Sequence, residues 1–261
     1  MRIQILGSGS EGNSALIRAG ETTLLVDAGL TREGMELRLD AARVAVGAIE
    51  HVCVTHGHLD HARSAGAIAR RDRAMLHCAE NIMLHAAARR SKRLSAITVN
   101  RPFELDGRNG HDRVRLTPVG LPHDCDPTVA FKIEHDGRTA VILTDIGTPD
   151  DEVARALSGA HVLVLEFNYD PEMMRVGPYP IVLQRRITGN RGHLSNAQAA
   201  IMLEKLAGPE LHTLVLAHLS KKTNRPELAL DAAHATLGRL GLSHVRLIVA
   251  SQDEIGEDLA V

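Results

Sequence analysis

THGHLDH, residues 55–61, is the stretch that decides the fold, and it closes a strand-like run over residues 50–55. His56 and His58 are alternate residues, so at a strand end both side chains can project to one side. The Asp-His pair that ends the segment lies where the chain turns toward a predicted helix. Three imidazoles and one carboxylate within six residues form the mixed nitrogen and oxygen set that Zn²⁺, Mn²⁺ or Fe accepts. The segment therefore predicts a metal site rather than a polar loop that is rich in His by chance.

Further His and Asp residues follow other apolar strands of the chain. His123, Asp145 and His218 each come after such a strand-like run. A lone His at a strand end is usually a surface residue, but three such residues in a chain that also holds the 55–61 segment favour additional metal ligands.

The composition excludes several classes of protein. Of the 261 residues, 44% are hydrophobic and 24% are charged, as in an ordinary soluble globular protein and unlike collagen, disordered chains or coiled coils. No run approaches the ~18 apolar residues of a transmembrane helix, so no membrane association is expected. The formal net charge of −2 does not argue against a nucleic-acid partner, because a local basic patch can supply the attraction.

The cysteine count and the N-terminus indicate a cytoplasmic protein. Cys53, Cys78 and Cys125 are an odd number without a C-x-x-C pair, so neither a disulfide framework nor a zinc knuckle is predicted. The chain starts in a strand-like run without the apolar region of a signal peptide.

Strand and helix patterns occur in both halves of the chain. Strands are predicted at residues 3–6, 14–18, 22–26, 50–55, 114–119, 129–134, 140–144, 161–166, 213–217 and 245–249. Helices are predicted at residues 31–47, 60–71, 79–95, 153–157, 196–206 and 227–240. The stretch 170–192 is rich in Pro, Gly and Arg and carries no predicted element. We expect an α/β protein with one domain over residues 1–261, in which two sheets are flanked by helices.

The ordered set of His and Asp motifs resembles the metallo-β-lactamase superfamily. Asp27, in the sequence LVDAG at residues 25–29, matches the first motif of that superfamily, and the likeness extends to His218. The resemblance implies an αββα sandwich of two mixed sheets flanked by helices, with two divalent metal ions, Zn²⁺ or Mn²⁺, at one sheet edge.

Four further segments are similar to the YycJ/WalJ-type branch of single-domain bacterial nucleases. They are GSGSEGNS at residues 7–14, GPYP at 177–180, GHLSN at 192–196 and AHLS at 217–220. The Gly-Ser segment lacks the Lys of a phosphate-binding P-loop, so a tight turn that lies against the site is favoured over a phosphate cradle. One departure is visible, since Tyr169 stands where the branch usually has His.

The resemblance also implies a role for each of these residues. One ion would have the ligands His56, His58 and His123, and the other Asp60, His61 and His218. Asp145 would bridge the two ions. Asp60 and Asp145 are also expected to act in catalysis. Asp27 would orient the His segment by hydrogen bonding without touching a metal.

His193 is predicted to act in catalysis. It matches a Gly-His-Ser segment that in RNase Z enzymes places a His beside the scissile phosphate, so it can donate a proton to the departing oxygen. The alternative is that the segment only caps the next helix, with Ser195 or Asn196 as N-cap, and both roles can hold together.

Basic clusters flank these motifs. The predicted substrate phosphate contacts are Arg185, Arg186, Arg191, Lys221, Lys222 and Arg225. The groups Arg70-Arg71-Arg73 and Arg89-Arg90-Lys92-Arg93 are interpreted as solvated surface cations.

The resemblance implies a 5′→3′ exonuclease with a part in DNA repair, in which a hydroxide held by the two metals attacks the phosphodiester. The expected partner is nucleic acid, DNA rather than RNA. One alternative is a hydrolase of a small substrate on the same fold, such as a cyclic phosphodiester, a lactone or a thioester. A second alternative is a non-catalytic metal-binding scaffold, which the full ligand set disfavours.

Overall fold

The computed structural model describes residues 1–84, 88, 91–108, 110 and 112–261. The chain divides into two compact units. The first comprises Met1–Pro118, Ile133–Arg138 and Ser251–Val261, and the second comprises Val119–Lys132 and Thr139–Ala250. The expectation of one domain over residues 1–261 stays a prediction.

The first unit holds a seven-stranded mixed sheet. Its strands are β1 (Arg2–Gly7), β2 (Ser14–Ala19), β3 (Thr22–Val26), β4 (His51–Cys53), β5 (Met75–Cys78), β6 (Leu94–Ala96) and β14 (Leu259–Ala260). Their order is β14-β1-β2-β3-β4-β5-β6. Strands β1 to β3 pair antiparallel across short turns, whereas β3 to β6 pair in parallel because longer connections return the chain to the same end of the sheet.

The second sheet is also seven-stranded and mixed. Its strands are β7 (Phe103–Asp106), β8 (Arg113–Leu121), β9 (Thr128–His135), β10 (Arg138–Leu143), β11 (Val162–Glu166), β12 (Thr213–Ala217) and β13 (Arg246–Val249). Their order is β13-β12-β11-β10-β9-β8-β7. Strands β10 to β13 are parallel, and β11 and β12 are buried along their whole length. Continuous runs of Val, Leu and Ile suit strands that are covered on both faces.

Helices connect these strands. In the first unit they are α1 (Arg32–Ala41), α2 (Leu59–Ala62), α3 (Ala65–Asp72) and α4 (Glu80–Met83). In the second unit they are α5 (Asp151–Leu157), α6 (Pro171–Val176), α7 (Ile181–Ile187), α8 (Asn196–Leu206) and α9 (Pro226–Arg239). Each unit has its own apolar core, in which Leu25 and Val52 are fully buried in the first and Leu163 and Leu214 in the second.

Most predicted elements are present, one predicted helix is wrong, and two helices lie where none was predicted. The helix predicted at 79–95 is wrong, because that stretch contains the single turn α4 and the strand β6, while residues 85–87, 89 and 90 lie outside the described residues. The Pro- and Gly-rich stretch 170–192 contains two short helices, α6 and α7, which begin at or just after prolines. Proline fits the first turn of a helix, where its missing N–H has no intrahelical partner to lose.

Among the helices that the structure describes, none is long and apolar enough to cross a membrane.

Candidate metal centre

The first group of predicted ligands follows two neighbouring parallel strands of the first unit. Asp27 comes directly after β3, and the 55–61 segment comes shortly after β4, with Val26 and Cys53 in register. Parallel neighbours bring their carboxyl ends to the same edge of the sheet. The Thr55 backbone N–H accordingly donates to Asp27 Oδ1 at 2.8 Å.

The buried Asp27 carboxylate fixes the tautomers of two histidines. His61 Nδ1 donates to Asp27 Oδ2 at 2.7 Å, since a carboxylate oxygen accepts. The Thr55 hydroxyl also donates to Asp27 Oδ2, at 2.8 Å, so its oxygen accepts from His56 Nδ1 at 3.0 Å. Both imidazoles therefore keep their Nε2 lone pair for another partner. Burial raises the pKa of the Asp27 carboxyl, and the bonds from His61 and Thr55 oppose that rise.

The other two predicted ligands of the segment lie beside these rings. His56 Nε2 is 3.1 Å from His58 Nδ1, and the His56 and His61 ring centroids are 4.2 Å apart. Asp60 Oδ2 is 3.5 Å from His61 Nε2. The fully buried His56 and His61 thus combine with two partly exposed side chains in one donor group.

The Gly-Ser loop contributes a contact that the sequence did not identify. Asn13 Nδ2 donates to the backbone oxygens of Gly9 and Asp60 at 3.0 and 3.3 Å, and it lies 3.0 Å from His61 Nε2. The loop therefore lies against the His segment. Gly29 permits this approach, because a Cβ there would come within 1.7 Å of the Asp60 carbonyl oxygen.

A second group forms in the second unit by the same topological rule. Asp145 and His218 follow β10 and β12, and Glu166 ends β11, the parallel strand between them. Asp145 Oδ1 lies 3.8 Å from His123 Nε2 and 4.0 Å from His218 Nε2. His123 Nδ1 donates to the Gly192 backbone oxygen at 3.0 Å, which leaves Nε2 as the ligand nitrogen. Burial lowers the pKa of His123, which favours the neutral ring that a metal requires.

Glu166 is the residue that sequence reasoning missed. It is fully buried, and it accepts hydrogen bonds from the backbone N–H groups of Asp145 and, at 2.7 Å, Leu194. Its Oε1 lies 3.3 Å from His193 Nδ1, and its Oε2 lies 3.7 Å from His218 Nδ1. The available signal was an acidic residue that ends an otherwise apolar strand.

His193, predicted as catalytic, lies within this second group. Its ring centroid is 5.3 Å from that of His123 and 5.2 Å from that of His218, and its side chain is 20% exposed. The ligand atoms of Asp145, Glu166, His193 and His218 all lie within 4.8 Å of one another. Imidazole nitrogens and carboxylate oxygens at this spacing are a donor set that fits a divalent cation.

The segment around Tyr169 positions His218 through another residue. Asn168 Nδ2 lies 3.1 Å from His218 Nδ1 and donates to the His218 backbone oxygen at 3.0 Å. Tyr169 is buried and bonds to Ser195, and burial raises the pKa of its hydroxyl.

Three of these residues have left-handed backbone conformations. Asp27, Asp145 and His218 have φ values of 61°, 62° and 55°. Such angles cost a non-glycine residue about 1 kcal/mol or more, and they occur preferentially where function requires them. All three mark the point at which a strand ends in a ligand or in a residue that orients one.

The predicted phosphate contacts are on the surface of the second unit. Arg191 Nε donates to the His123 backbone oxygen at 2.7 Å, and Arg186 forms an ion pair with Asp124. Lys222 lies 5.5 Å from the Tyr179 ring centroid. The remaining three predicted contacts, Arg185, Lys221 and Arg225, are exposed.

Comparison with known proteins agrees with this arrangement. A sequence profile of the metallo-beta-lactamase superfamily matches residues 7–218, which includes both donor groups. The chain belongs to this superfamily. The predicted family and the predicted fold class, two mixed sheets flanked by helices, are therefore confirmed.

Two curated relatives are similar to this chain in sequence, and one solved structure is similar to it in fold. Exodeoxyribonuclease YycJ of Bacillus anthracis is 30% identical over 88% of this chain and 86% of its own length. Exodeoxyribonuclease WalJ of Streptococcus pneumoniae serotype 2 is 30% identical over 87% of this chain and 85% of its own. The metallo-beta-lactamase fold protein YhfI from Bacillus subtilis superposes with a TM-score of 0.72 at 14% identity, covering 98% of both chains, and shows the fold alone.

Membership of the metallo-beta-lactamase superfamily and the His/Asp donor groups identify this chain as a metal-dependent hydrolase that binds divalent metal. The non-catalytic scaffold interpretation is thereby excluded.

Proposed function

We propose that this protein is an exodeoxyribonuclease that degrades DNA from the 5′ end in the cytoplasm, in the context of DNA repair. The observation that carries the proposal is the likeness to two relatives named exodeoxyribonuclease over more than four-fifths of the chain. The donor groups and the cations beside His123 support the same chemistry.

The proposal assigns two divalent ions, Zn²⁺ or Mn²⁺, to the seven ligands that the sequence predicts. The residues that would hold these ions are His56, His58, Asp60, His61, His123, Asp145 and His218. Bound divalent ions supply Lewis-acid chemistry, which lowers the pKa of water and neutralises charge on a phosphate.

The side chains of the second unit would then hold and transfer a proton. His193 Nδ1 donates to the buried Glu166 carboxylate, which orients the ring and leaves Nε2 for the substrate. We assign His193 the protonation of the departing 3′-oxygen, since a positioned imidazole contributes about 10²–10⁴-fold to such steps.

The strand itself would be held through its phosphates. We assign this contact to Arg185, Arg186, Arg191, Lys221, Lys222 and Arg225, all in the second unit. Arg191 is the best placed of them, because its Nε is anchored on the backbone of the predicted ligand His123. Phosphate contacts of this kind position a strand without reading its sequence.

The test is a time course of the metal-loaded protein on linear DNA labelled separately at each end, with RNA of the same sequence alongside. We expect progressive loss from the 5′ end of DNA that is abolished in Asp145→Ala, with metal content measured for each protein. Asp151→Ala, which removes an exposed carboxylate paired with Lys205, is the matched control and should behave as wild type. Absence of cleavage by a protein shown to hold two metals would overturn the nuclease proposal and leave a small phosphodiester or lactone as substrate.

A further inference from the structure

Arginines that are separate in the sequence meet in a cavity of the first unit. The cavity has a volume of about 490 Å³ and is lined by Gly47, Arg71, Asp72, Arg73, Arg93 and Arg108. This volume lies within the range of about 300–1,000 Å³ that is typical of ligand sites. From the sequence alone, Arg71, Arg73 and Arg93 are expected to be ordinary surface cations.

The cavity is distinct from the donor group of the same unit. Gly47 precedes β4, Arg73 precedes β5 and Arg93 precedes β6, so the cavity lies at the amino ends of these parallel strands. The His segment follows the carboxyl end of β4. The two sheet edges are separated by the length of the strands, which rise about 3.3 Å per residue.

The charges that line the cavity do not balance. Asp72 is the one acidic residue among its described lining, against four guanidinium groups. Its carboxylate is already engaged, because Arg71 Nε donates to Oδ2 at 2.7 Å and the Gly47 backbone N–H donates to Oδ1. Arg73, Arg93 and Arg108 also line a neighbouring cavity, whose acidic residues are Glu50, Glu104 and Asp106. The excess of positive charge is therefore confined to the cavity beside Asp72, where it favours a negatively charged ligand.

Two of the arginines have hydrogen-bond acceptors within the protein. Arg108 donates to the backbone oxygens of Ile49 and Asp72 at 3.2 and 3.3 Å, and Arg93 Nη1 donates to the Arg73 oxygen at 2.9 Å. These bonds fix the two guanidinium groups in place and neutralise none of their charge.

The guanidinium groups of the other two arginines, Arg71 and Arg73, are not held by such backbone acceptors. The Arg71 side chain is 15% exposed, and its Nη2 is buried without a hydrogen-bond partner among the described residues. A buried N–H of a charged group that lacks an acceptor is costly, so such groups normally have one. The Arg73 side chain is exposed and forms no polar contact with the described part of the chain. A ligand with several charged oxygens would bind the exposed Arg73 guanidinium directly, and a small rotation of the Arg71 guanidinium in the same lining would give its unpartnered N–H an acceptor.

We propose that this cavity is a phosphate-binding site. Guanidinium groups bind the oxygens of phosphate in pairs through their planar fork of N–H donors, and several guanidinium groups together suit the multiple charged oxygens of one phosphate. The ligand is either a free phosphate or a phosphate of a nucleic-acid strand that extends to this edge of the sheet.

The test uses the full-length, zinc-loaded protein and follows the Nε–H signals of its arginines by nuclear magnetic resonance. On titration with inorganic phosphate, we expect the Arg71 and Arg73 signals to shift and saturate with a Kd of about 1 mM or below. Arg113, an exposed arginine of the same unit that pairs with Glu104, is the internal control and should not respond. Arg73→Gln should weaken the response of Arg71 about tenfold.

A phosphorothioate single strand, which resists cleavage, distinguishes the two sources of phosphate. If it shifts the same two signals, the site holds a nucleic-acid backbone, and if only inorganic phosphate does so, the site holds a small anion. The proposal is overturned if Arg71 and Arg73 respond to neither probe, or respond no more than Arg113. This readout is independent of nuclease activity, so failure of the proposed function would leave it intact.

Discussion

Asp27 and Glu166 perform corresponding tasks in the two units. Each is a buried carboxylate at or after a strand end that binds backbone N–H groups and the Nδ1 side of an imidazole. A carboxylate in this position fixes which ring nitrogen is available and raises its basicity. The orientation of the predicted ligands therefore depends on residues that need not touch metal.

Glu166→Gln tests this role in the second unit. The amide retains the shape but loses the charge that orients His193, so we expect kcat to fall about 10–100-fold with little loss of bound metal. Glu172→Gln, at an exposed residue of α6 that pairs with Arg175, is the control. An unchanged kcat in Glu166→Gln would show that the carboxylate has no part in positioning the ring.

Gly29→Ala tests the contact between the turn after β3 and the His segment. The added methyl would overlap the Asp60 carbonyl oxygen, so the segment must move and metal content and activity should fall together. Gly238→Ala in α9 meets no atom within 4 Å and should raise stability by about 0.5–1 kcal/mol. Equal metal content in Gly29→Ala and wild type would contradict the expected displacement.

His77 gives a pH dependence outside the metal centre. His51 Nε2 lies 3.2 Å from the Asp106 backbone oxygen and must donate to it, so His51 Nδ1 accepts from His77 Nε2 at 3.0 Å. Burial, with a smaller effect of His51, lowers the pKa of His77 to about 3. In the unfolded chain the pKa of a His is about 6.5, so the unfolded chain binds the proton more readily than the folded protein. At a pH between about 3 and 6.5, protonation of His77 therefore favours unfolding.

The free energy of unfolding should accordingly fall by about 2 kcal/mol from pH 7 to pH 5 through His77 alone. His77→Gln keeps a donor toward His51 and cannot be protonated, so its pH slope should be shallower by that amount in urea denaturation. His234→Gln, at an exposed position of α9, should keep the wild-type slope. Parallel slopes for wild type and His77→Gln would refute the assignment.

At the scale of elements, helix α8 begins directly after the segment that holds His193. Ser195 and Gln198 form a capping box, in which each side chain bonds to the backbone N–H of the other residue. His193 and Leu194, which contact Glu166, directly precede this cap. Of the two N-cap residues that the sequence allowed, the structure uses Ser195, and this capping is compatible with the proposed role of His193.

Ser195→Ala should lower stability by about 1 kcal/mol, or about 2–4 °C in Tm, through the lost cap. Because the cap also fixes the residues after His193, kcat should fall several-fold. Thr31→Ala removes the N-cap of α1, where Thr31 accepts from Gly34 N–H, and should cost similar stability without changing kcat. Thermal melts and steady-state rates on the two variants separate the effects, and equal kcat values would contradict the link to His193.

At the scale of the whole molecule, each unit arranges its donor group with its own hydrogen bonds. Asp27 and Asn13 do so in the first unit, and Glu166 and Asn168 in the second. Both groups are also anchored to parallel strands with buried apolar cores. We therefore expect the secondary structure to form without metal, unlike that of a zinc finger.

Removal of metal by a chelator should therefore abolish activity and lower Tm while the far-ultraviolet circular dichroism stays native. Ions that bind the folded state add RT ln(1 + [M]/Kd), which is about 2.7 kcal/mol at a hundredfold excess over Kd. Readdition of Zn²⁺ or Mn²⁺ should restore both properties, and the more effective ion is the better candidate for the native one. Loss of the dichroism signal on chelation would show that metal holds the fold together.

The sequence by itself determined the family and the fold class, and it predicted a set of candidate ligands. These features depend on short-range patterns, namely an apolar run followed directly by a His or Asp, and such patterns are readable without knowing which strands are neighbours. The helix predicted at 79–95 failed because helical composition was outweighed by pairing of β6 with β5, which is a tertiary preference.

Only the tertiary structure decided which residues contact the candidate ligands and His193, and which arginines line the same cavity. Asn13 and His61, Glu166 and His193, and Arg71 and Arg108 are 48, 27 and 37 positions apart, and no local pattern links them. These residues come together because strand pairing brings the ends of neighbouring strands, and the loops that follow them, to the same edge of a sheet. The sequence thus specifies the chemistry at each strand end, and strand pairing decides which of these ends act together.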